Sequence, residues 1–306
     1  MPDSLEKRRI DVTFTLQPST DAASGAVVAR PIFTESGTNQ VTVSGLRVSA
    51  MVQNAGSFSQ ASAHVRIYGL RQSLMNQLST LGKLPLALRN TSIAVSAGDA
   101  GGAMSLVYIG TIVDAWANME AAPQVCFEAT AMVNGYFALK PVPPASYPGG
   151  ASVAVILGNI ATQMGLAFEN NGVTAVLANQ YLPGTLLDQL QRCVQAAGIE
   201  YVVENNVLAI WPRGGSRGGT IPLISPATGM VGYPGYTRGG VVVRTLYSPS
   251  IRYGSLVKVQ SDLPAANGTW RVFNLSHALE SETPNGQWFS TVQGVQPSQA
   301  PIRLAS

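Results

Sequence analysis

A chain of 306 residues is long enough for two or three domains at roughly 100–200 residues each. Hydrophobic residues make up 46%, ordinary for a globular protein, while charged residues reach only 11% where about 25% is usual; charges normally cover solvated surface, so the shortfall points to a chain that hides much of its surface in an assembly. The net charge of +3, with no basic run longer than Lys7-Arg8-Arg9, argues against a nucleic-acid groove of its own.

The first residues, Met1 to Ile10, are charged and polar and show no secretory leader. Alternating apolar and polar residues then predict strands at Ile10–Leu16, Gln40–Val43, Arg47–Val52 and Ala63–Tyr68, and again at Ser92–Ala97, Ser105–Ala117 and Val125–Val133. One helix interrupts them: Leu74, Leu78 and Leu81 recur at helical spacing within Arg71–Leu81, with Gly82 as its stop. Residues 1–145 therefore read as one β-rich domain with a single helix.

The stretch from Lys140 to Gly150 carries Pro141, Pro143, Pro144 and Pro148 and reads as a linker, because proline donates no hydrogen bond and breaks helix or central strand. Beyond it the period becomes helical. Val153, Ile156, Leu157, Ile160 and Met164 form one apolar stripe ending at Gly165, and Leu187, Leu190, Cys193 and Val194 form a second within Leu186–Ala197. The first of these runs is interrupted by Asn159, Thr162 and Gln163 and is shorter than the ~20 residues that span a bilayer, so no membrane insertion is expected. Short strands are expected at Val173–Leu177, Ile199–Glu204 and Val207–Trp211, the last two joined by a turn at Asn205-Asn206. Residues 146–213 are thus an α+β module. A glycine-rich segment, Arg213–Gly219, reads as a flexible second linker. Strands at Val241–Tyr247, Ser255–Gln260, Thr269–Leu279 and Gln287–Val295 make residues 214–306 a C-terminal β domain.

Little in the chain suggests chemistry. Gly214-Gly215-Ser216-Arg217-Gly218 matches the G-x-S-x-G of hydrolases, but Pro222 opposes the helix that must follow such a serine, and only His277 lies downstream as a partner. His64 and His277 lack metal-ligand spacing, and Cys126 and Cys193 stand far apart in apolar patterns, so two buried free thiols and no metal or other cofactor are expected. Glu280 and Glu282, two apart on a strand, share a face but cannot flank a sugar bond from opposite sides. Trp116, Trp211, Trp270 and Trp288 each fall in a strand pattern, where core or interface packing is the default over a sugar platform.

The ordered series of structural segments is more telling. Arg66-Ile67-Tyr68-Gly69-Leu70, Lys140-Pro141-Val142-Pro143-Pro144, Trp211-Pro212-Arg213-Gly214-Gly215, Leu246 to Gly254, Gly268 to Val272, His277 to Ser281 and Gly286 to Phe289 together resemble the baseplate hub proteins of phage tails. Ser248 stands where that family has asparagine, a departure confined to one turn.

The resemblance implies a mainly β fold with two tail-tube-like β-barrel domains flanking the α+β domain, and a homotrimer forming a pseudo-sixfold ring. Such a ring reconciles a sixfold tail tube protein with a threefold central spike protein. Baseplate wedge and tape-measure proteins are further implied partners, the virion tail baseplate the location, and the host bacterial cytoplasm the place of assembly. DNA passes only as a transient passenger, so the lumen should be neutral or acidic, because each phosphate neutralised by Lys or Arg adds affinity and friction. Asp114, Glu120, Glu280 and Glu282 are the expected channel-lining residues, and Arg244 and Arg252 the expected subunit-interface residues. No enzymatic activity is implied. A receptor- or carbohydrate-binding tail protein is the alternative class, since it too would be β-rich and weakly charged.

Overall fold

Strand alternation builds most of the chain, as a computed structural model shows; it describes residues 7–297 apart from 18, 21–26, 30, 35, 55, 57–58, 81–90, 121, 140 and 238. Two compact units result. Unit 1 comprises Met1–Val52, Ser62–Lys140 and His277–Trp288; unit 2 comprises Gln53–Ala61, Pro141–Ser276 and Phe289–Ser306.

Unit 1 is an antiparallel sheet. Strand β1 (Arg8–Leu16) is followed by the short β2 (Ser19–Thr20) and β3 (Val27–Ala29), then by β4 (Gln40–Val43), β5 (Arg47–Asn54), β6 (Ser62–Tyr68), β7 (Thr91–Asp99), β8 (Ser105–Asn118) and β9 (Cys126–Met132). The order across the sheet is β5-β6-β9-β8-β7-β1-β4. Register explains the core: Ile10, Val12 and Phe14 lie opposite Ala97, Val95 and Ile93, and all six are buried on one face. Phe14 meets Phe127 edge-on with centroids 6.0 Å apart, and burying each such ring is worth roughly 1.5–3 kcal/mol.

Helix α1 (Gln72–Leu78) buries Leu74, Met75 and Leu78. It is shorter than the apolar spacing predicts, because Thr80 leaves the helix to bond the backbone of Ala115 on β8, donating its N–H to the carbonyl at 2.7 Å. The expected stop at Gly82 lies outside the described residues.

In unit 2, β10 (Ala145–Ser152) leads into α2 (Val153–Gln163), then β11 (Ala167–Asn170), β12 (Val176–Leu182), α3 (Leu186–Ala197), β13 (Ile199–Glu204) and β14 (Val207–Pro212). Helix α3 has the expected bounds because both ends are locked. Thr185 and Asp188 form a reciprocal capping box, and Gly198 closes the helix at φ 63°. Asn205 and Asn206, at φ 51° and 62°, make the tight turn between β13 and β14.

Three local readings change. The proline-rich linker ends in a strand, since β10 pairs antiparallel with β12 and shifts register between Tyr147 and Gly150, where Pro148 needs no donor. The strand expected at Val173–Leu177 starts instead at Val176, because the Asn170 side chain brackets Val173, accepting from its N–H at 2.8 Å and donating to its carbonyl at 3.0 Å. Ala167–Asn170, not predicted as a strand, pairs parallel with Val207–Ile210.

The remaining strands are β15 (Leu223–Ile224), β16 (Gly235–Thr237), β17 (Gly240–Leu246), β18 (Leu256–Val259), β19 (Gly268–Ser281) and β20 (Trp288–Val295). Val241, Val243, Val257, Val259, Val272, Leu275 and Val292 form the core there. The last residues of β19 and Trp288 belong to unit 1. Both cysteines are buried and free, and burial pushes the Cys193 thiol up to about 11. No described helix is long and apolar enough to cross a membrane.

Candidate functional site

The outward face of the unit 1 sheet is fixed by β alternation. With Ile10, Val12 and Phe14 turned inward, Arg9 and Asp11 turn outward, and Arg9 bonds Asp11 at 2.8 Å. On β9 the same parity turns Glu128 outward toward Arg66 at 3.5 Å and His64 at 3.6 Å. The Asn118 amide holds the Glu128 carboxyl below its usual range against the effect of its own burial, and Arg66 and His64 add to it. Arg47 lies over the Tyr68 ring at 4.4 Å, and Lys7 pairs with Glu282 at 2.6 Å. The named bases of this face are thus engaged within the chain.

The expected channel residues fall into two kinds. Glu280 accepts from the Ser49 hydroxyl at 3.3 Å and the Gln287 N–H at 2.9 Å. Glu282 does not share its strand: β19 ends at Ser281, and Glu282 sits at φ 53° in the following turn, so the two carboxylates are not a same-face pair. Asp114 and Glu120 are exposed on and just beyond β8 and make no ion pair among the described residues.

The two expected interface arginines differ as well. Arg244 is exposed on β17, its guanidinium 4.1 Å from the centre of the Phe289 ring. Arg252 is tied into its own chain, donating to the Gly218 carbonyl at 3.0 Å and lying 3.9 Å from Glu169.

That contact belongs to a cluster in unit 2 that sequence patterning does not disclose. Arg217, read as part of a flexible linker, is 4% exposed. Its guanidinium bonds Glu204 at 2.7 Å and Glu169 at 2.8 Å, and its N–H donates to the Gly254 carbonyl at 2.8 Å. Asn54 donates to the second Glu204 oxygen at 3.2 Å. Burial pushes the Glu204 carboxyl up against the pull of Arg217. Burial acts the same way on Glu169, but there the hydrogen bonds and charge of Arg217, with Asn171 and Arg252, carry the carboxyl below its usual range. Alongside, Glu200 accepts from the Trp211 indole at 2.9 Å and pairs with Arg271. The only hint in the sequence was a glutamate, Glu204, in an otherwise apolar strand end, a position that demands a cation. The cluster pins the glycine-rich segment to the α+β sheet; every charge in it is used internally.

The strand-turn-helix context of a hydrolase nucleophile does not form around Ser216. After Ser216 the chain goes to a bridge of Arg217 with Ser255, with no helix to present the hydroxyl. No group of three metal-capable side chains occurs among the described residues. Trp211, Trp270 and Trp288 are buried, as the packing default expects, and Trp116 is 42% exposed.

His277 is buried on β19, and burial lowers its imidazole from 6.5 to about 4. A group that takes up its proton only on unfolding contributes full stability above pH 6.5 and loses it as pH falls toward 4. Urea denaturation should therefore show a loss of about 2 kcal/mol from this residue between pH 7 and pH 5. His277→Gln should flatten that part of the profile; an unchanged profile in the variant would refute the assignment.

Comparison with known proteins adds the following. Residues 28–293 match the family model described as baseplate hub gp41. A tail protein from Neisseria meningitidis MC58 superposes with a TM-score of 0.60 at 9% identity, covering 95% of this chain and 97% of that one. The 43 kDa tail protein of prophage MuSo2 from Shewanella oneidensis gives 0.57 at 9% identity over 94% and 97%. The E. coli c3393 protein gives 0.53 at 11% identity over 83% and 74%; it is a type VI secretion component with structural similarity to the T4 tail proteins gp27 and gp5. Identities this low speak to fold alone. No curated protein sequence matches the chain.

Proposed function

The chain belongs to the baseplate hub gp41 family, and from that premise we propose that it is a non-catalytic ring subunit joining a phage tail tube to its central spike. Three copies, each supplying two tail-tube-like barrels, form a pseudo-sixfold ring: six similar surfaces meet the tube and three identical chains meet the spike. The three sequence modules, 1–145, 146–213 and 214–306, are the building blocks of this arrangement. Assembly takes place in the host cytoplasm, with wedge and tape-measure proteins as further neighbours.

The observation that carries the reading is the outward face of unit 1. Arg9, Arg66 and Lys7 are each committed to a carboxylate and the exposed Arg47 lies over the Tyr68 ring, while Glu280 accepts from neutral donors, so each cation named on this face has a partner within the chain. Such a wall lets DNA slide without being held. Glu280 and Glu282 line it.

Electron cryomicroscopy of assembled tails at the tube–spike junction tests this. A threefold ring of six barrels around an open lumen is expected. A closed centre, a single copy, or a lumen lined mainly by arginine would refute it.

A further inference from the structure

Asparagine is followed by glycine at four places in the chain: Asn134-Gly135, Asn171-Gly172, Asn267-Gly268 and Asn285-Gly286. Such a step is chemically labile, because glycine has no Cβ to shield its peptide nitrogen from the preceding side-chain amide. The fold restrains three of the four. Asn171 donates to Glu169 at 3.0 Å and to the Ile210 carbonyl at 3.2 Å, and accepts from the Gly218 N–H at 2.8 Å. Asn267 accepts from the Ser261 N–H at 2.7 Å and hydroxyl at 3.2 Å, and donates to the Ser261 carbonyl at 2.9 Å. Asn134 and Gly135 are both buried, so any reaction there has to displace packed backbone.

The fourth differs. Asn285 is exposed at φ 55° in the turn between β19 and β20, and its side chain makes no hydrogen bond among the described residues. Gly286 is held there by one turn contact, its N–H donating to the Thr283 carbonyl at 3.0 Å. Opening that single bond frees the nitrogen.

We propose that Asn285 is a site of spontaneous deamidation. The Gly286 peptide nitrogen bonds to the Asn285 Cγ, the Cγ–Nδ2 bond breaks, and the amide leaves as ammonia with the proton that the peptide nitrogen gives up. Water then opens the resulting succinimide at either carbonyl, leaving aspartate or isoaspartate. Both products add one negative charge at this turn. Glu280 already lies against it, accepting from the Gln287 N–H at 2.9 Å, and Glu282 enters it paired with Lys7 at 2.6 Å. On the ring reading above, the new charge joins these two carboxylates at the channel wall; the chemistry itself does not depend on that reading.

The test is to age the purified full chain in mildly alkaline buffer and follow each asparagine by peptide mass spectrometry, reading the exchange of amide nitrogen for oxygen. In the folded chain Asn285 should convert about tenfold or more faster than Asn171 and Asn267, each of which first has to give up three hydrogen bonds. In urea the four rates should converge, because the restraints are then gone. Asn285→Gln should remove the product from the peptide that carries it. A folded chain in which Asn285 converts no faster than Asn171 or Asn267, or converts only in urea, overturns the proposal. Light scattering on the same sample reports whether the chain is a trimer, so the ring reading and this site can fail separately.

Discussion

Arg217→Met lowers the stability of unit 2 by about 3–5 kcal/mol, the cost of leaving buried charge without its partner. The side chain is 3% exposed and holds Glu204, 7% exposed, and Glu169. Methionine approximates its length but supplies no donor. Glu204 then keeps uncharged donors, the Asn54 amide and the Tyr253 backbone N–H, and Arg252, 3.9 Å from Glu169, is too distant to replace a bidentate guanidinium. The residues after β14 also lose the charge that pins them to the sheet. Adding Glu204→Gln and Glu169→Gln to Arg217→Met should recover most of the loss, since uncharged amides need no cation. Chemical denaturation of the two variants decides the matter. A single variant as stable as the parent would show that the cluster is solvated, and a triple variant no better than the single would show that shape rather than charge matters.

The second large effect is at Trp211. Trp211→Ala costs about 3–5 kcal/mol by opening a cavity, because the ring is 0% exposed and packs with Val202, Ala209 and Tyr253. Its indole also donates to Glu200. The neighbouring backbone is built around the ring: Gly254 sits at φ +78°, and a Cβ there would lie 2.6 Å from the indole. Trp211→Phe keeps much of the packing and should cost clearly less than alanine. Equal losses in both variants would assign the effect to the Glu200 hydrogen bond instead, a distinction that urea midpoints resolve.

The two substitutions illustrate why parts of the molecule were readable before folding and parts were not. Trp211 was placed correctly in a strand with packing as its default role, because apolar alternation is written in neighbouring residues. Arg217 was misread because its surroundings, Gly214-Gly215-Ser216 and Gly218-Gly219, describe a flexible segment, while its partners Glu169 and Glu204 lie 48 and 13 positions away. Local composition describes the unfolded chain's freedom; it does not register a charge pair that forms only after the α+β sheet brings its members together.

The candidate assembly residues divide in the same way. Sparse charge and the ordered series of hub-like segments pointed to an assembly subunit, and the family match bears that out. Helices α2 and α3 and the turn at Asn205-Asn206 follow from periodicity and capping that lie within a few residues of one another. What tertiary structure alone decided is which charges are spent inside the chain. Glu282 was paired with Lys7, Arg252 drawn toward Glu169, and Asp114, Glu120 and Arg244 left without an ion pair among the described residues. The physical reason is range: propensity and alternation act over one or two turns of chain, whereas an ion pair needs two groups within about 4 Å, and only the fold sets distances between residues remote in sequence.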